Sequence, residues 1–178
     1  MTEEPIEDTV RVRPADVSDA RSIAEVTLAA WRAAYRGILP DELLNLLRIE
    51  PREIAWSELL GGEGGAPPVW VAESGGTVQG FVSCGPARDE DVPLPASEVY
   101  ALYVRPESWR RGIGRALLET ALDHCLETGA TTDVLWVLEA NARARDFYEA
   151  MGWAPDGARR RFEEALPVIE VRYRLMPE

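Results

Sequence analysis

The sequence predicts a single α/β domain of the α+β kind, with a mixed sheet and helices on both faces. Three observations predict it. Strand and helix signals follow one another in the order β-α-α-β-β-β-α-β-α-β-β, which fits a mixed sheet covered on both sides. Of the 178 residues, 46% are hydrophobic, enough for one sizeable core. The composition does not change regime along the chain, and no internal repeat is visible.

Residues 1–9 carry four acids and no apolar run, and a flexible lead is expected there. Val10 to Arg13 alternates apolar and charged residues, as a half-buried strand does, and Pro14 breaks it. Asp16 or Ser18 caps a helix running from about Ser18 to Ala34, with Ile23, Val26, Leu28 and Trp31 among its apolar members. Gly37 and Pro40 end that segment. Asp41 then caps a second helix, ELLNLLRI, before Pro51, and a third short helical piece holds Ile54, Trp56 and Leu59. Gly61 to Pro68 is a loop. VWVAE and VQGFVSC, joined through Gly75-Gly76, read as a β-hairpin. Gly85 to Ser97 is a loop whose acids Asp89, Glu90 and Asp91 form a solvated charge run or attract a cation. Glu98 to Val104 is a strand, Gly114 to Thr128 a helix, and Thr132 to Leu138 a strand. Ala142 to Met151 is a helix closed by Gly152. The tail holds a last strand, VIEVRYRL, with which Gly157 to Phe162 pairs.

Composition narrows the function classes. The net charge of −12 argues against non-specific nucleic-acid binding, which depends on neutralising phosphates. No run is long enough to span a bilayer, and no apolar signal region opens the chain, so a soluble, cytoplasmic protein is expected. Cys84 and Cys125 are expected as free thiols. With His124 the lone histidine, no metal site can be assembled from ligand spacing.

The stretch WRRGIGRALL, Trp109 to Leu118, follows a strand and opens a helix. The first amides of a helix lack intrahelical acceptors and carry the positive end of its dipole. Gly112 and Gly114 let an anion approach the backbone, and Arg110, Arg111 and Arg115 add charge. A Walker loop would need Gly-Lys-Ser/Thr, which is absent. A dinucleotide turn would need a third glycine where Leu117 stands. An acyl-CoA pyrophosphate loop and a plain strand-to-helix turn both remain.

YALYVRPESWRRGIGRALL followed by ANARARDFYEAMGW resembles the GNAT superfamily of N-acetyltransferases. The first block is similar to its acetyl-CoA motif, in which Gln/Arg-x-x-Gly-x-Gly/Ala joins a strand to a helix. The second is similar to its Asn-x-x-Ala-x-x-Phe-Tyr-x-x-x-Gly-Phe block, with Asn141, Ala144, Phe147, Tyr148, Gly152 and Trp153 in those places. WRAAYRGILPDELL is also similar to members of the superfamily. One departure is Trp109, which stands at the Gln/Arg position when Gly112 and Gly114 are the motif glycines.

The resemblance implies a mostly antiparallel sheet and acetyl-CoA as co-substrate. It implies cofactor contacts at Leu102, Tyr103 and Val104, mainly through backbone where a bulge splays the strand, and at Trp109, Arg110, Arg111, Gly112, Ile113, Gly114, Arg115 and Ala116. It further implies that Asn141 bonds the pantetheine arm, that Tyr148 contacts the cofactor and protonates the leaving thiolate, and that Glu98 is the general base. Each has a plainer reading: Asn141 as a helix cap, Tyr148 as packing, Glu98 as a strand-end acid. Strand alternation groups Glu98 with Tyr100 and Leu102 on one face, opposite Val99, Ala101 and Tyr103. Tyr100 thus joins Glu98 as an acceptor contact. Trp31 and Tyr35, four apart on the first helix, line the acceptor pocket or pack in the core.

The function expected is an N-acetyltransferase acting on a small-molecule or peptide primary amine, with a homodimer common among similar proteins. The alternatives are a non-catalytic acyl-CoA-binding regulatory module and a nucleotide-binding protein.

Overall fold

The computed structural model describes residues 9–62 and 65–176. The expected flexible lead lies, apart from Thr9, outside the described residues, as do residues 63 and 64 of the expected loop. Seven strands form one sheet: β1 (Arg11–Pro14), β2 (Val69–Ser74), β3 (Thr77–Pro86), β4 (Ala96–Val104), β5 (Thr132–Leu138), β6 (Trp153–Arg161) and β7 (Ile169–Leu175). Their order is β1-β2-β3-β4-β5-β7-β6. Every neighbouring pair is antiparallel except β4 and β5. The helices are α1 (Ala20–Ala34), α2 (Asp41–Leu46), α3 (Ile49–Gly61), α4 (Ile113–Glu127) and α5 (Ala142–Ala150).

Helices cover both faces, as the element order predicts. On one face Ile113, Leu117 and Leu118 of α4 and Tyr148 of α5 pack with Val82, Val99, Leu135 and Tyr173. On the other, Ile23 and Val26 of α1 pack with Val69, Val71 and Phe81, and Trp56 and Leu60 of α3 close over them. The Gly75-Gly76 turn has φ +57° and +75°, the two positive values that a tight β2–β3 hairpin of right-handed twist needs.

Three local expectations are corrected. Asp16 caps a short 3-10 turn, Val17–Asp19, ahead of α1: it accepts from the Ser18 amide while Asp19 reaches back to the Asp16 amide. Asp41 does not cap α2; Pro40 stands at that position and no side chain caps the end. The helix also stops at Leu46, because Leu47 takes an extended conformation. Pro51 therefore does not end a helix. It sits in the first turn of α3, where a missing amide hydrogen costs nothing.

The acids of the loop between β3 and β4 are not a solvated run. Arg172, on β7 and only 4% exposed, donates from both terminal nitrogens to Asp91 at 2.7 Å and from Nε to Asp156 at 2.7 Å. Asp89 lies 3.3 Å from the same guanidinium and accepts from the Trp136 indole at 2.8 Å. The loop is thereby tied down across β5 and β7. Glu90 and Asp91 are both exposed, Asp91 while paired with Arg172.

Two features of β4 position the site. Its parallel pairing with β5 covers only Ala96 to Val99 against Thr132 to Leu135. Beyond Val99 the strands part, and one backbone edge of β4 opens. Against β3, Ser83 pairs with Ala101 and Cys84 with Val99, so Tyr100 is an extra, bulged residue. The bulge rephases the strand. Val99, Leu102 and Val104 face α4, whereas Ala101 and Tyr103 face α1. The expected grouping of Glu98 with Leu102 is corrected: Glu98 precedes the bulge and shares its face with Ala101 and Tyr103.

Candidate active site

Where β4 and β5 part, a cavity of about 760 Å³ runs through the sheet. Glu98 to Val104 form one wall and Leu135 to Leu138 the other. The starts of α4 and α5 close one end, with Trp109, Arg110, Gly112, Gly114, Arg115, Asn141 and Tyr148 all on the wall. Tyr35 reaches it from α1. Most of the residues singled out in the sequence therefore meet in one place. Ile113 is buried in the core, Arg111 is exposed, and neither they nor Ala116 form part of the wall. Trp31 also stands off it, packed against Tyr35, Tyr103 and Phe162 at ring distances of 5.2, 6.4 and 5.9 Å.

The turn into α4 has the features of an anion cradle. Gly112, the residue before the helix, holds φ +80° with no side chain capping the end. Arg110 also takes a positive φ, +62°, which is rare for a residue with a Cβ. Arg143 on α5 lies over the Trp109 ring at 3.2 Å, and the Trp109 indole donates to the Val104 carbonyl at 2.8 Å. Trp109 thus ties the turn to the end of β4 and holds Arg143 beside it. Burial, then repulsion from Arg110, pulls the Arg143 guanidinium down from its ordinary value. Among the described residues neither Arg110 nor Arg143 has a carboxylate partner. Two unneutralised guanidiniums and uncapped helix amides suit a doubly charged phosphate group. Replacing Gly112 with alanine meets no side chain within 4 Å, so only the left-handed backbone is strained. A stability loss of about 1–2 kcal/mol is expected, read as a shift in the denaturant midpoint.

Asn141 accepts from the Ala144 amide at 3.2 Å and so caps α5, the plainer of its two readings. It also lines the cavity. Tyr148 packs among Phe147, Trp153 and Tyr173 while facing the same space. Burial, with a smaller contribution from Tyr103, pushes its phenol well above the usual range, so it stays protonated and able to donate.

At the other end Glu98 is 2% exposed and bound by Arg88. The Arg88 Nε donates to one carboxylate oxygen at 3.1 Å and a terminal nitrogen to the other at 2.5 Å. The Arg88 amide adds a third bond at 3.2 Å. The guanidinium lies 4.4 Å over the Tyr100 ring, whose hydroxyl donates to the Pro86 carbonyl at 2.6 Å. Arg160 also lines this end; it stacks on Trp136 at 4.0 Å and pairs with Glu170 at 2.7 Å. Sequence reasoning missed Arg88, Arg143, Arg160 and Trp136. Their roles come from stacking and pairing across distant segments, and no local pattern marks them. Among the described residues no cluster of three or more His, Cys, Asp or Glu could hold a metal ion, and no helix is long and apolar enough to cross a membrane.

A model of the acetyltransferase (GNAT) family matches residues 28–153. The uncharacterized N-acetyltransferase YuaI of Bacillus subtilis is 38% identical over 143 residues, 79% of this chain and 78% of its own. The PaiA N-acetyltransferase of Thermoplasma acidophilum, solved with coenzyme A, has a similar fold, with a TM-score of 0.75 and 18% identity over 93% of this chain and 98% of its own. The yncA structure from Salmonella typhimurium, solved with its cofactor acetyl-CoA, gives a TM-score of 0.67 and 24% identity, covering 94% of this chain and 93% of its own.

Proposed function

The chain belongs to the GNAT family of acetyltransferases, and we propose that it works as one acetyltransferase unit that moves the acetyl group of acetyl-CoA to a primary amine by direct attack in a ternary complex. The observation that carries this reading is the single cavity joining the anion cradle at Gly112 to the buried carboxylate of Glu98 through the parted strands. The two relatives solved with coenzyme A or acetyl-CoA share that fold and support the choice of co-substrate.

In this reading Arg110, Arg143 and the first amides of α4 hold the diphosphate, and the open edge of β4 from Leu102 to Val104 faces the pantetheine arm. Tyr35 and Tyr100 flank the acceptor. A lysine-like amine, with a pKa of about 10.4, costs roughly 4 to 5 kcal/mol to deprotonate at pH 7. Glu98 takes that proton, directly or through one water. The amine nitrogen then bonds the acetyl carbon, whose oxygen carries the developing charge. Backbone amides on the open β4 edge stabilise that oxyanion. As the carbon–sulfur bond breaks, its electron pair goes to sulfur, the Tyr148 hydroxyl gives sulfur a proton, and the extra proton that the nitrogen carries after attack passes through water to the Tyr148 oxygen. The products are the acetylated amine and free coenzyme A.

Rapid mixing of the protein with acetyl-labelled acetyl-CoA, without acceptor, followed by acid quench, tests the direct mode. No label is expected on the protein. A covalently labelled cysteine would overturn it, and both Cys84 and Cys125 are free but buried.

A further inference from the structure

We infer that the acceptor is a small primary amine carrying its own oxyanion, a carboxylate or phosphonate, and that Arg88 is the group that binds it. The inference rests on the acetyltransferase reading above and deepens it.

Arg88 uses only part of its fork on Glu98. Nε and one terminal nitrogen bond the carboxylate, which leaves the edge between the two terminal nitrogens for another acceptor. Its side chain is 61% exposed although the carboxylate it holds is buried, and it lines the cavity. Arg172 shows in the same molecule how one guanidinium holds two carboxylates, Asp91 on its terminal nitrogens and Asp156 on Nε. The position of Arg88 is fixed from both sides. Its ring neighbour Tyr100 is held by the Pro86 carbonyl, and the adjacent Asp89 is held by Trp136. A second guanidinium, Arg160, lies over Trp136 at 4.0 Å, pairs with Glu170 and lines the same cavity.

An oxyanion seated on the open edge of Arg88 would place the rest of a short molecule within reach of Glu98, one guanidinium away. It would also offset the positive charge that otherwise holds the Glu98 carboxylate. A purely cationic acceptor has neither benefit, because the first group it meets beside Glu98 is the Arg88 guanidinium.

The test is a set of matched pairs: L-methionine against 3-(methylthio)propylamine, L-phenylalanine against phenethylamine, and the aminophosphonate analogue of each. Coenzyme A release is followed for the wild type, Arg88→Gln and Arg88→Lys. In the wild type, kcat/KM for at least one oxyanion-bearing member is expected to exceed its decarboxylated partner by about 10- to 100-fold, the worth of one bidentate charged pair. Arg88→Gln is expected to collapse that ratio, and Arg88→Lys to restore it only in part, since lysine keeps the charge without the fork. The carboxylate and phosphonate arms tell which oxyanion is used. A wild type that prefers the decarboxylated amines, or an Arg88→Gln variant that slows both members of a pair equally, overturns the inference and leaves the acetyltransferase reading standing. If no amine turns over although acetyl-CoA binds by calorimetry, the acetyltransferase reading fails. Titration of the amino acids into the coenzyme A complex then decides the subsite: heat lost in Arg88→Gln supports it, and no binding to the wild type overturns it.

Discussion

Replacing Glu98 with glutamine is expected to lower kcat by about 10²- to 10⁴-fold, the usual worth of a general base, while acetyl-CoA still binds. Glutamine keeps the shape and buried position of the side chain but cannot take a proton, and it gives up the charge and one of the two oxygens that hold Arg88. The partner left behind is Arg88, whose side chain is 61% exposed, so no buried charge is stranded. The variant should therefore fold, and thermal denaturation beside the kinetics checks that. Steady-state release of coenzyme A measures the loss, and calorimetry with acetyl-CoA shows that the cradle at Gly112 is intact. A chain that merely senses acyl-CoA would show no turnover to lose and the same binding in both forms. An unchanged kcat would instead assign the base to another group.

Arg172→Met should cost about 3–5 kcal/mol of stability, the usual result of breaking a buried charge network from one side. Methionine fills a similar volume but leaves Asp156, whose side chain is 12% exposed, without its 2.7 Å partner. It also frees Asp91 and weakens the hold on Asp89, so the loop carrying Arg88 loses its anchor over β5 and β7. Denaturant titration measures the stability, and Trp136 fluorescence follows the loop, because that indole donates to Asp89. A pH effect follows with definite sign. Hydrogen bonding to Arg172 holds the Asp91 carboxyl below its usual range. The stability it supplies is present above the ordinary aspartate pKa of about 3.9 and is lost as pH falls through the lowered folded value. Acid should weaken the Asp91 tie in the wild type, and Arg172→Met should lack that dependence.

Much of this arrangement is legible in the chain because local and global signals agree. The strand Thr132–Leu138 is a short apolar run between turn residues, and its observed bounds match the reading. The Gly75-Gly76 pair demands a hairpin, and the glycines around Ile113 mark a helix start. What escaped was set by pairing at a distance. The resemblance implies a bulge at Leu102 to Val104, but it falls at Tyr100; VYALYV is apolar or aromatic on both faces, so slipping the phase there changes no pattern. Asp89 and Asp91 look unpaired until the fold brings Arg172, 81 residues beyond Asp91, against them. Nothing local marks Arg88 for the same reason. Leu47 looked helical within an apolar run, yet the chain needed a break there to redirect α3 onto α1. Trp31 has the spacing to share a face with Tyr35 and does so, but Tyr35 is the one that reaches the cavity.

The central claim is that the cradle at Gly112 and the carboxylate of Glu98 serve one reaction. The most direct measurement mixes the protein, acetyl-CoA and a panel of primary amines, and follows free coenzyme A thiol together with acetylated amine. The account predicts the two in equal amounts for at least one acceptor, both abolished or strongly slowed by Glu98→Gln. Binding of acetyl-CoA with no acetylated amine from any acceptor would contradict it.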